Sequence, residues 1–281
     1  MSPSGPVGRD RQYLREVQYK DPVKLTARAN LHARYRTAPV TWFEWVGTQV
    51  DWPSGADVLE VGCGPGWLWA EVGATVPDDL RLTLTDLSPG MVAVAGDRIR
   101  ALVRFEVVEA RVADAEDLPF ADGDFAVVVA NQMLYHVPDP PKAVAEIARV
   151  LDHHGVLVAG TSGHRHLSQL WEIRSEVFGG PASSENTEAF GAETGAAIVG
   201  RSFESVEWRP YADTLRCTSP DDVVAFLTSG PPGEDASPGE LDELRRVVAS
   251  RFDAGDGVFE VSKDMGILLA RRPRRRDPHR T

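Results

Sequence analysis

The sequence predicts an α/β protein with a doubly wound, seven-stranded, mostly parallel sheet. Two observations predict this class. From residue 57 to residue 161, short apolar segments typical of buried strands alternate with helical segments, and strands that alternate with helices form parallel sheets with right-handed crossovers. Two longer segments follow at 203–216 and 257–271, and we expect them to form the last two strands as an antiparallel hairpin at one edge.

Turn residues and helix caps delimit these elements. Ser88-Pro89 suits the start of the helix after the second strand, and Ser219-Pro220 and Ser237-Pro238 suit the starts of two helices before the last strand. The first five predicted strands are 58–61, 81–85, 105–112, 125–130 and 156–161, and the helices between them include 66–75, 89–101 and 140–151.

Two helical regions flank the predicted core. Residues 13–50 hold many aromatic and cationic side chains, which suits a cap, and Pro39 is expected in the first turn of a helix there. After Gly163 two helices, at 166–178 and 186–199, are expected to form an inserted helical lid. The predicted divisions are 1–50 (N-terminal helical cap), 51–163 (core), 164–202 (helical lid), 203–271 (C-terminal part of the core) and 272–281 (disordered basic tail).

The charge distribution argues against a nucleic-acid substrate. The 281 residues carry a formal charge of −12, and residues 271–281 contain six arginines and one aspartate, a net +5 that leaves −17 on the rest. Nucleic-acid binding needs a basic face, so no DNA partner is expected.

The presence of only two cysteines and the lack of a long apolar segment predict a cytoplasmic protein without membrane insertion. We expect a monomer or a homodimer.

A glycine-rich turn is the strongest functional signal. Residues 60–66 read Glu-Val-Gly-Cys-Gly-Pro-Gly, directly after the first predicted strand and before a helix. Such a turn exposes backbone N–H groups to a nucleotide-like ligand at the carboxyl edge of the sheet. A dinucleotide fingerprint requires a small third residue, but Trp67 occupies that position. Two ligands compete for such a turn, a dinucleotide and S-adenosylmethionine. The position of Trp67 disfavours the dinucleotide, and with it hydride transfer, so S-adenosylmethionine is the better candidate.

Residues 60–66 resemble motif I of the class I S-adenosylmethionine-dependent methyltransferases. The segments 114–120 and 131–137 resemble the adenine motif and the motif after strand 4 of the same family. The resemblance covers residues 55–161. Within the family, this segment is similar to the UbiE-like subgroup, which contains the ubiquinone and menaquinone methyltransferases and their small-molecule relatives. It implies a Rossmann-like methyltransferase fold, with S-adenosyl-L-methionine as cofactor and S-adenosyl-L-homocysteine as product.

The resemblance also implies roles for individual residues. Asp86 would accept hydrogen bonds from the ribose hydroxyls, although it could instead cap the helix after Ser88. Asp114 would accept from the adenine amino group, and the Ala115 N–H would donate to the ring. The residues expected to bind the cofactor are Tyr19, Arg28, Glu60, Gly62, Cys63, Gly64, Gly66, Asp86, Leu87, Met91, Asp114, Ala115, Glu116, Asn131, Gln132 and Met133.

Cationic and imidazole side chains are candidates for the reacting end of the site. Arg28 would bind the carboxylate of the cofactor, with Arg34 and Arg36 as rivals. Imidazole titrates near neutral pH, so a histidine after a strand end could orient the acceptor or take its proton. The candidate catalytic residues are His136, His164 and His166.

The predicted reaction is transfer of a methyl group by in-line displacement to an oxygen, carbon or nitrogen atom of a small organic acceptor. No metal site is expected. Two alternatives stay open: a protein of the same fold that binds S-adenosylmethionine without methylating, as a scaffold or in a cyclisation, and methylation of a protein or RNA.

Overall fold

The computed structural model describes residues 10–18, 20, 23–102 and 104–274, and it contains one seven-stranded sheet. The strand order is β3-β2-β1-β4-β5-β7-β6. The first five strands pair in parallel, whereas β7 is antiparallel to both neighbours. The predicted fold class is therefore confirmed, including the antiparallel hairpin at the edge. The strands are β1 (Asp57–Val61), β2 (Arg81–Asp86), β3 (Glu106–Val112), β4 (Phe125–Asn131), β5 (Leu151–Ser162), β6 (Phe203–Cys217) and β7 (Phe259–Pro273).

Helices cover both faces of the sheet and its carboxyl edge. Ser219 and Ser237 cap α10 and α11 through hydrogen bonds to backbone N–H groups, as their Ser-Pro sequences predict. The α-helices are α1 (Arg11–Tyr13), α2 (Val23–Tyr35), α3 (Trp42–Gly47), α4 (Trp67–Glu71), α5 (Pro89–Leu102), α6 (Pro140–Val150), α7 (Ser168–Phe178), α8 (Glu185–Phe190), α9 (Ala192–Val199), α10 (Pro220–Leu227) and α11 (Pro238–Ala254).

The core has two layers because alternate residues of a strand face opposite sides of the sheet. In β4, Val128 and Ala130 pack with α6 and α9, whereas Val127 and Val129 pack with the side that α3, α4 and α5 cover. A third apolar cluster joins α2, α7, α10 and α11 to the far part of the β6–β7 hairpin. This third cluster fixes the cap and the segment after β5 relative to the sheet.

The structure corrects several predicted boundaries. The helix expected over 186–199 is two helices, because the backbone of Gly191 between them is extended, with φ −93° and ψ −173°. Pro39 lies outside any helix; the helix that follows begins at Trp42 after a capping box at Thr41. Strand β5 begins earlier than expected, since Leu151 pairs with Phe125.

The predicted tail also begins too early. Strand β7 continues to Pro273, and Arg274 donates hydrogen bonds to the carbonyl oxygens of Ser202 and Phe203. Residues 272–274 are therefore part of the sheet edge, while 275–281 lie outside the described residues. In the part of the chain that the structure describes, none of the helices has the length and apolar character needed to cross a bilayer.

Candidate functional site

A cavity of about 730 Å³ opens at the carboxyl ends of the central parallel strands. The turn after β1, the segments after β2, β3 and β4, the loop after β5, and helix α2 line it. Strand order reverses between β1 and β4, and open α/β sheets bind ligands in the crevice at such a switch point. The cavity is therefore the candidate site.

The glycine turn forms one wall of this cavity. Gly62, Gly64 and Gly66 all have positive φ angles, of 68°, 51° and 74°, which favour glycine. A Cβ at Gly62 would lie 2.8 Å from the Met133 side chain, so the turn packs directly on the segment after β4. A Cβ at Gly64 would have no neighbour closer than 4.0 Å, so this glycine leaves room for a ligand against the backbone.

Asp86 joins the glycine turn to the end of β2. Its Oδ2 accepts the Gly64 N–H at 2.9 Å, and its Oδ1 accepts the Ser88 N–H at 2.8 Å. Burial raises the pKa of the carboxyl group, and these N–H donors oppose the rise. The Leu87 N–H is a third backbone donor to this group, and the carboxylate, with about four acceptor sites, keeps capacity for a hydroxyl donor. The alternative role as a turn cap is also present, since Asp86 binds the Ser88 N–H ahead of α5.

Glu60 lines the cavity, but its side chain is buried in the protein. It is 2% exposed, and its Oε2 accepts the indole N–H of Trp69 at 2.7 Å. Burial raises the pKa of this carboxyl group to about 8, although the Trp69 hydrogen bond lowers it. The Glu60 carbonyl oxygen accepts the Thr85 hydroxyl. Burial also raises the pKa of the Cys63 thiol well above its usual value, so the thiol is protonated.

An arginine that the sequence did not indicate contacts the predicted adenine segment. Nη2 of Arg11 lies 2.9 Å from Asp114 and 2.9 Å from Glu116. Glu116 also accepts the Asp139 N–H, and its own N–H donates to Asp114. Asp114 and Ala115 line the cavity, whereas Glu116 is not one of the lining residues. Glu116 therefore supports the loop after β3 and holds Arg11 across it.

Three polar residues follow β4. Asn131 Oδ1 accepts the indole N–H of Trp42 at 3.0 Å. Gln132 has a φ of 56°, and its Nε2 is buried without a hydrogen-bond partner among the described residues. A buried donor without a partner costs stability unless a ligand satisfies it. Asn131, Gln132 and Met133 all line the cavity.

Most of the remaining predicted residues also line the cavity. These are Arg28, Gly62, Cys63, Leu87, Met91, His136 and His166. Of the two rivals to Arg28, Arg36 lines the cavity too, whereas Arg34 is paired with Asp222 at 2.9 Å and is not among the lining residues.

Three predicted residues lie elsewhere, and one falls outside the description. Gly66 faces α5, where a Cβ would lie 3.1 Å from the Ala95 Cα. His164 is exposed and lies 3.4 Å from Glu193, so it does not reach the cavity. Glu116 is held behind the wall, as described above. Tyr19 lies outside the described residues.

Sequence reasoning missed several lining residues because distant segments carry them. His32 is on α2 and Lys263 is on β7, and the fold alone brings them beside His166. The concentration of aromatic and cationic residues in 13–50 was the one available signal, and it did not single out His32.

Residues 59–159 match the family model described as "Methyltransferase domain". This range runs from β1 to β5 and includes the glycine turn, Asp86, Asp114 and the segment after β4. Residues 59–159 are a methyltransferase domain. The predicted motifs thus fall in the matched range, in the expected order.

Relatives in sequence agree with the methyltransferase domain, and a solved structure shares the fold. The chain is 36% identical to methyltransferase GfsG of Streptomyces halstedii over 113 residues, covering 39% of this chain and 38% of that protein. It is 38% identical to a ubiquinone biosynthesis O-methyltransferase of Xanthomonas axonopodis over 122 residues, covering 42% and 47%. The chain thus spans less than half the length of these relatives. The cyclase SpnF shares the fold, with a TM-score of 0.57 at 20% identity over 95% of this chain and 98% of that one.

The cavity has groups that fit S-adenosylmethionine, from the methyltransferase domain and from helix α2. Gly64 leaves backbone room beside Asp86, whose free lone pairs suit a ribose diol. The buried Nε2 of Gln132 lacks a partner among the described residues, and Gln132 lines the same cavity. Arg28 supplies a guanidinium at the cavity wall for a carboxylate. The donor set therefore fits the ligand.

Proposed function

We propose that this protein transfers a methyl group from S-adenosylmethionine to a small organic acceptor. The observation that carries the proposal is the Asp86–Gly64 contact at the switch point of a methyltransferase domain. A carboxylate with free lone pairs lies there beside backbone that a ligand can approach.

The proposed binding mode assigns each wall of the cavity a part of the cofactor. Asp86 accepts from the ribose hydroxyls, and Asp114 with the Ala115 N–H binds the adenine. Arg28 binds the carboxylate of the amino-acid end. The sulfonium supplies an electrophilic methyl group, so the protein has to align the acceptor with the S–CH₃ bond and exclude water. His136 and His166 line the cavity and remain the candidates for orienting the acceptor.

A small acceptor suits this site better than a nucleic acid. The cavity has a volume of about 730 Å³, within the range of small-molecule sites. The named relatives include a ubiquinone biosynthesis O-methyltransferase, which is consistent with a small aromatic acceptor. The net charge of −12 disfavours a polyanionic partner.

The experiment combines calorimetry with mass spectrometry. S-adenosylmethionine should bind the protein with one site, and incubation with a panel of phenols, quinols, amines and carboxylic acids should yield a product heavier by one methylene group. The Asp86→Ala variant is the matched comparison, and both its affinity for S-adenosylmethionine and its yield of methylated product should fall. Binding without a methylated product from any panel member would instead support a non-methylating role, and absence of binding would refute the proposal.

A further inference from the structure

Three nitrogen-bearing side chains converge at a part of the cavity that the cofactor residues do not use. His32 comes from α2, His166 from the loop after β5, and Lys263 from β7, and all three line the cavity. Asp86 ends β2 and Asp114 follows β3, and β1 and β4 separate these two strands from β5 and β7 in the sheet. The cluster therefore lies away from the acidic adenosine end.

Lys263 carries a buried positive charge with spare donors. Its Nζ lies 2.5 Å from Oδ2 of Asp213, and the two side chains are 3% and 0% exposed. Burial lowers the pKa of Lys263, while Asp213 raises it. An ammonium group has three N–H donors, and Asp213 is its one hydrogen-bond partner among the described residues.

Asp213 does more than pair with Lys263. It also fixes the segment at the end of α2. Its Oδ1 accepts the backbone N–H groups of Thr37, Ala38 and Thr214 at 2.8–2.9 Å. One carboxylate thus holds Lys263 and the segment that follows the helix with His32. Burial of this ion pair costs desolvation free energy, which suggests that the Lys263 charge serves the cavity.

The loop with His166 is fixed to β7 on both sides of Lys263. The Gly163 N–H donates to the Asp264 carbonyl oxygen at 2.8 Å, and the Leu167 N–H donates to the Ser262 carbonyl oxygen at 2.8 Å. His166 is therefore held in register with Lys263.

The two imidazoles are neutral and have unused nitrogen atoms. The rings of His32 and His166 are stacked, 6.1 Å apart and 2° from parallel, and Nδ1 of each is buried without a hydrogen-bond partner among the described residues. Burial, together with the nearby Lys263, lowers the pKa of His32 to about 3 and that of His166 well below its usual value. Neutral imidazoles each offer one donor and one acceptor to a ligand.

Aromatic side chains border this cluster. Phe226 meets the His32 ring edge-on, with centroids 6.3 Å apart, and it lies 6.2 Å from Trp171. The Trp171 indole N–H donates to the His166 carbonyl oxygen, which fixes the ring beside the loop. Flat walls of this kind favour a planar ligand.

We propose that His32, His166 and Lys263 form the acceptor subsite, and that it takes a planar molecule with an ionisable hydroxyl group, a phenol or an enol. The inference rests on the proposed function, because an acceptor subsite presupposes methyl transfer. The Lys263 ammonium stabilises the ionised oxygen, and the imidazoles orient the hydroxyl group by hydrogen bonds. All three are binding and positioning residues.

The test uses two probes that differ by one hydroxyl group, para-nitrophenol and nitrobenzene, with S-adenosylhomocysteine present. Difference absorption should show that the wild-type protein binds para-nitrophenol about tenfold more tightly or better, as a charge-assisted hydrogen bond implies. The His166→Gln variant and the double variant Lys263→Met with Asp213→Asn should each lose most of this preference. Lys263→Arg should retain it, because the charge is kept.

Matched controls separate this effect from a general loss of charge or imidazole. His154→Gln, on the exposed part of β5, and Arg251→Met with Glu176→Gln, an exposed ion pair at 2.6 Å, should leave the preference unchanged. Thermal melts report whether each variant folds. If the double variant does not fold, the preference for para-nitrophenol in His32→Gln and His166→Gln tests the proposal instead.

Three results would overturn the proposal: no binding of para-nitrophenol to the wild-type protein, equal affinity for both probes, or an unchanged preference in the cavity variants. Tighter binding of benzoate than of para-nitrophenol would overturn the hydroxyl assignment. S-adenosylhomocysteine binding, measured by calorimetry in the same samples, reports separately on the proposed function.

Discussion

The backbone N–H of Gly64 donates a hydrogen bond to Oδ2 of Asp86 over 2.9 Å. This contact joins the turn after β1 to the end of β2, and the other carboxylate oxygen binds the Ser88 N–H at 2.8 Å. One side chain therefore fixes two walls of the cavity and still has lone pairs for a ligand. Much of the proposed chemistry depends on this pair.

Replacement of Asp86 by alanine should weaken S-adenosylhomocysteine binding by more than about tenfold, because charge-assisted hydrogen bonds are worth ~1.5–3 kcal/mol. Isothermal titration calorimetry measures the change. The control is Asp97→Ala, at a side chain that is 88% exposed on α5. Equal affinities of Asp86→Ala and the wild-type protein would rule out the ribose role.

Replacement of Gly64 by valine should abolish cofactor binding and leave the sheet folded. The side chain would enter the open space beside the turn, and the φ of 51° adds strain. Gly55→Val is the matched control, because Gly55 has a φ of 66° and no neighbouring atom within 4 Å but lies outside the cavity. Circular dichroism and calorimetry measure the two properties. Undiminished binding by Gly64→Val would show that the ligand does not approach this backbone.

Replacement of Glu60 by glutamine should change the pH dependence of stability. The folded pKa, about 8, is above the unfolded value of 4.5, so the folded state binds the extra proton between these values and stability falls as pH rises. Glutamine removes this contribution while it can still accept the Trp69 N–H. The stability of Glu60→Gln relative to wild type should therefore increase across this window, by a few kcal/mol at most at ~1.4 kcal/mol per pKa unit.

Urea unfolding at several pH values checks this prediction. Glu106→Gln, at a side chain that is 67% exposed, should give a curve parallel to that of the wild-type protein. A parallel curve for Glu60→Gln as well would mean that Glu60 is ionised in the folded protein at neutral pH.

Replacement of Asp213 by alanine should destabilise the protein by about 3–5 kcal/mol, because it leaves the buried Lys263 charge and the Ala38 N–H without an acceptor. Chemical denaturation measures the loss. Asp242→Ala removes an exposed ion pair on α11 and should change stability little. A similarly small effect at Asp213 would show that the Lys263 ion pair is not formed in solution.

Local sequence patterns predicted the sheet and one half of the cavity. The apolar segments, the glycine turn and Asp86 lie close together in the chain, so spacing alone places them at one sheet edge. The break at Gly191 is an extended residue with no room for a Cβ beside the Thr187 carbonyl oxygen, and this geometry is visible only in the folded backbone. Tertiary contacts override helical periodicity at such positions.

The other half of the cavity was not predictable from spacing. His32 and Lys263 are more than two hundred residues apart in the sequence, and they meet because Asp213 binds both Lys263 and the segment after α2. Arg11 likewise meets Asp114 and Glu116 only through the fold. His164 and His166 are indistinguishable in sequence, yet the loop geometry turns one to Glu193 and the other into the cavity.

The most direct test is a crystal structure of the protein with S-adenosylhomocysteine. The ribose hydroxyls should lie within hydrogen-bond distance of the Asp86 carboxylate, the amino-acid end should lie beside the turn that contains Gly64, and the sulfur should face the space towards His166. A nucleoside bound elsewhere, or a nicotinamide dinucleotide that occupies this cavity in preference to it, would contradict the proposed function.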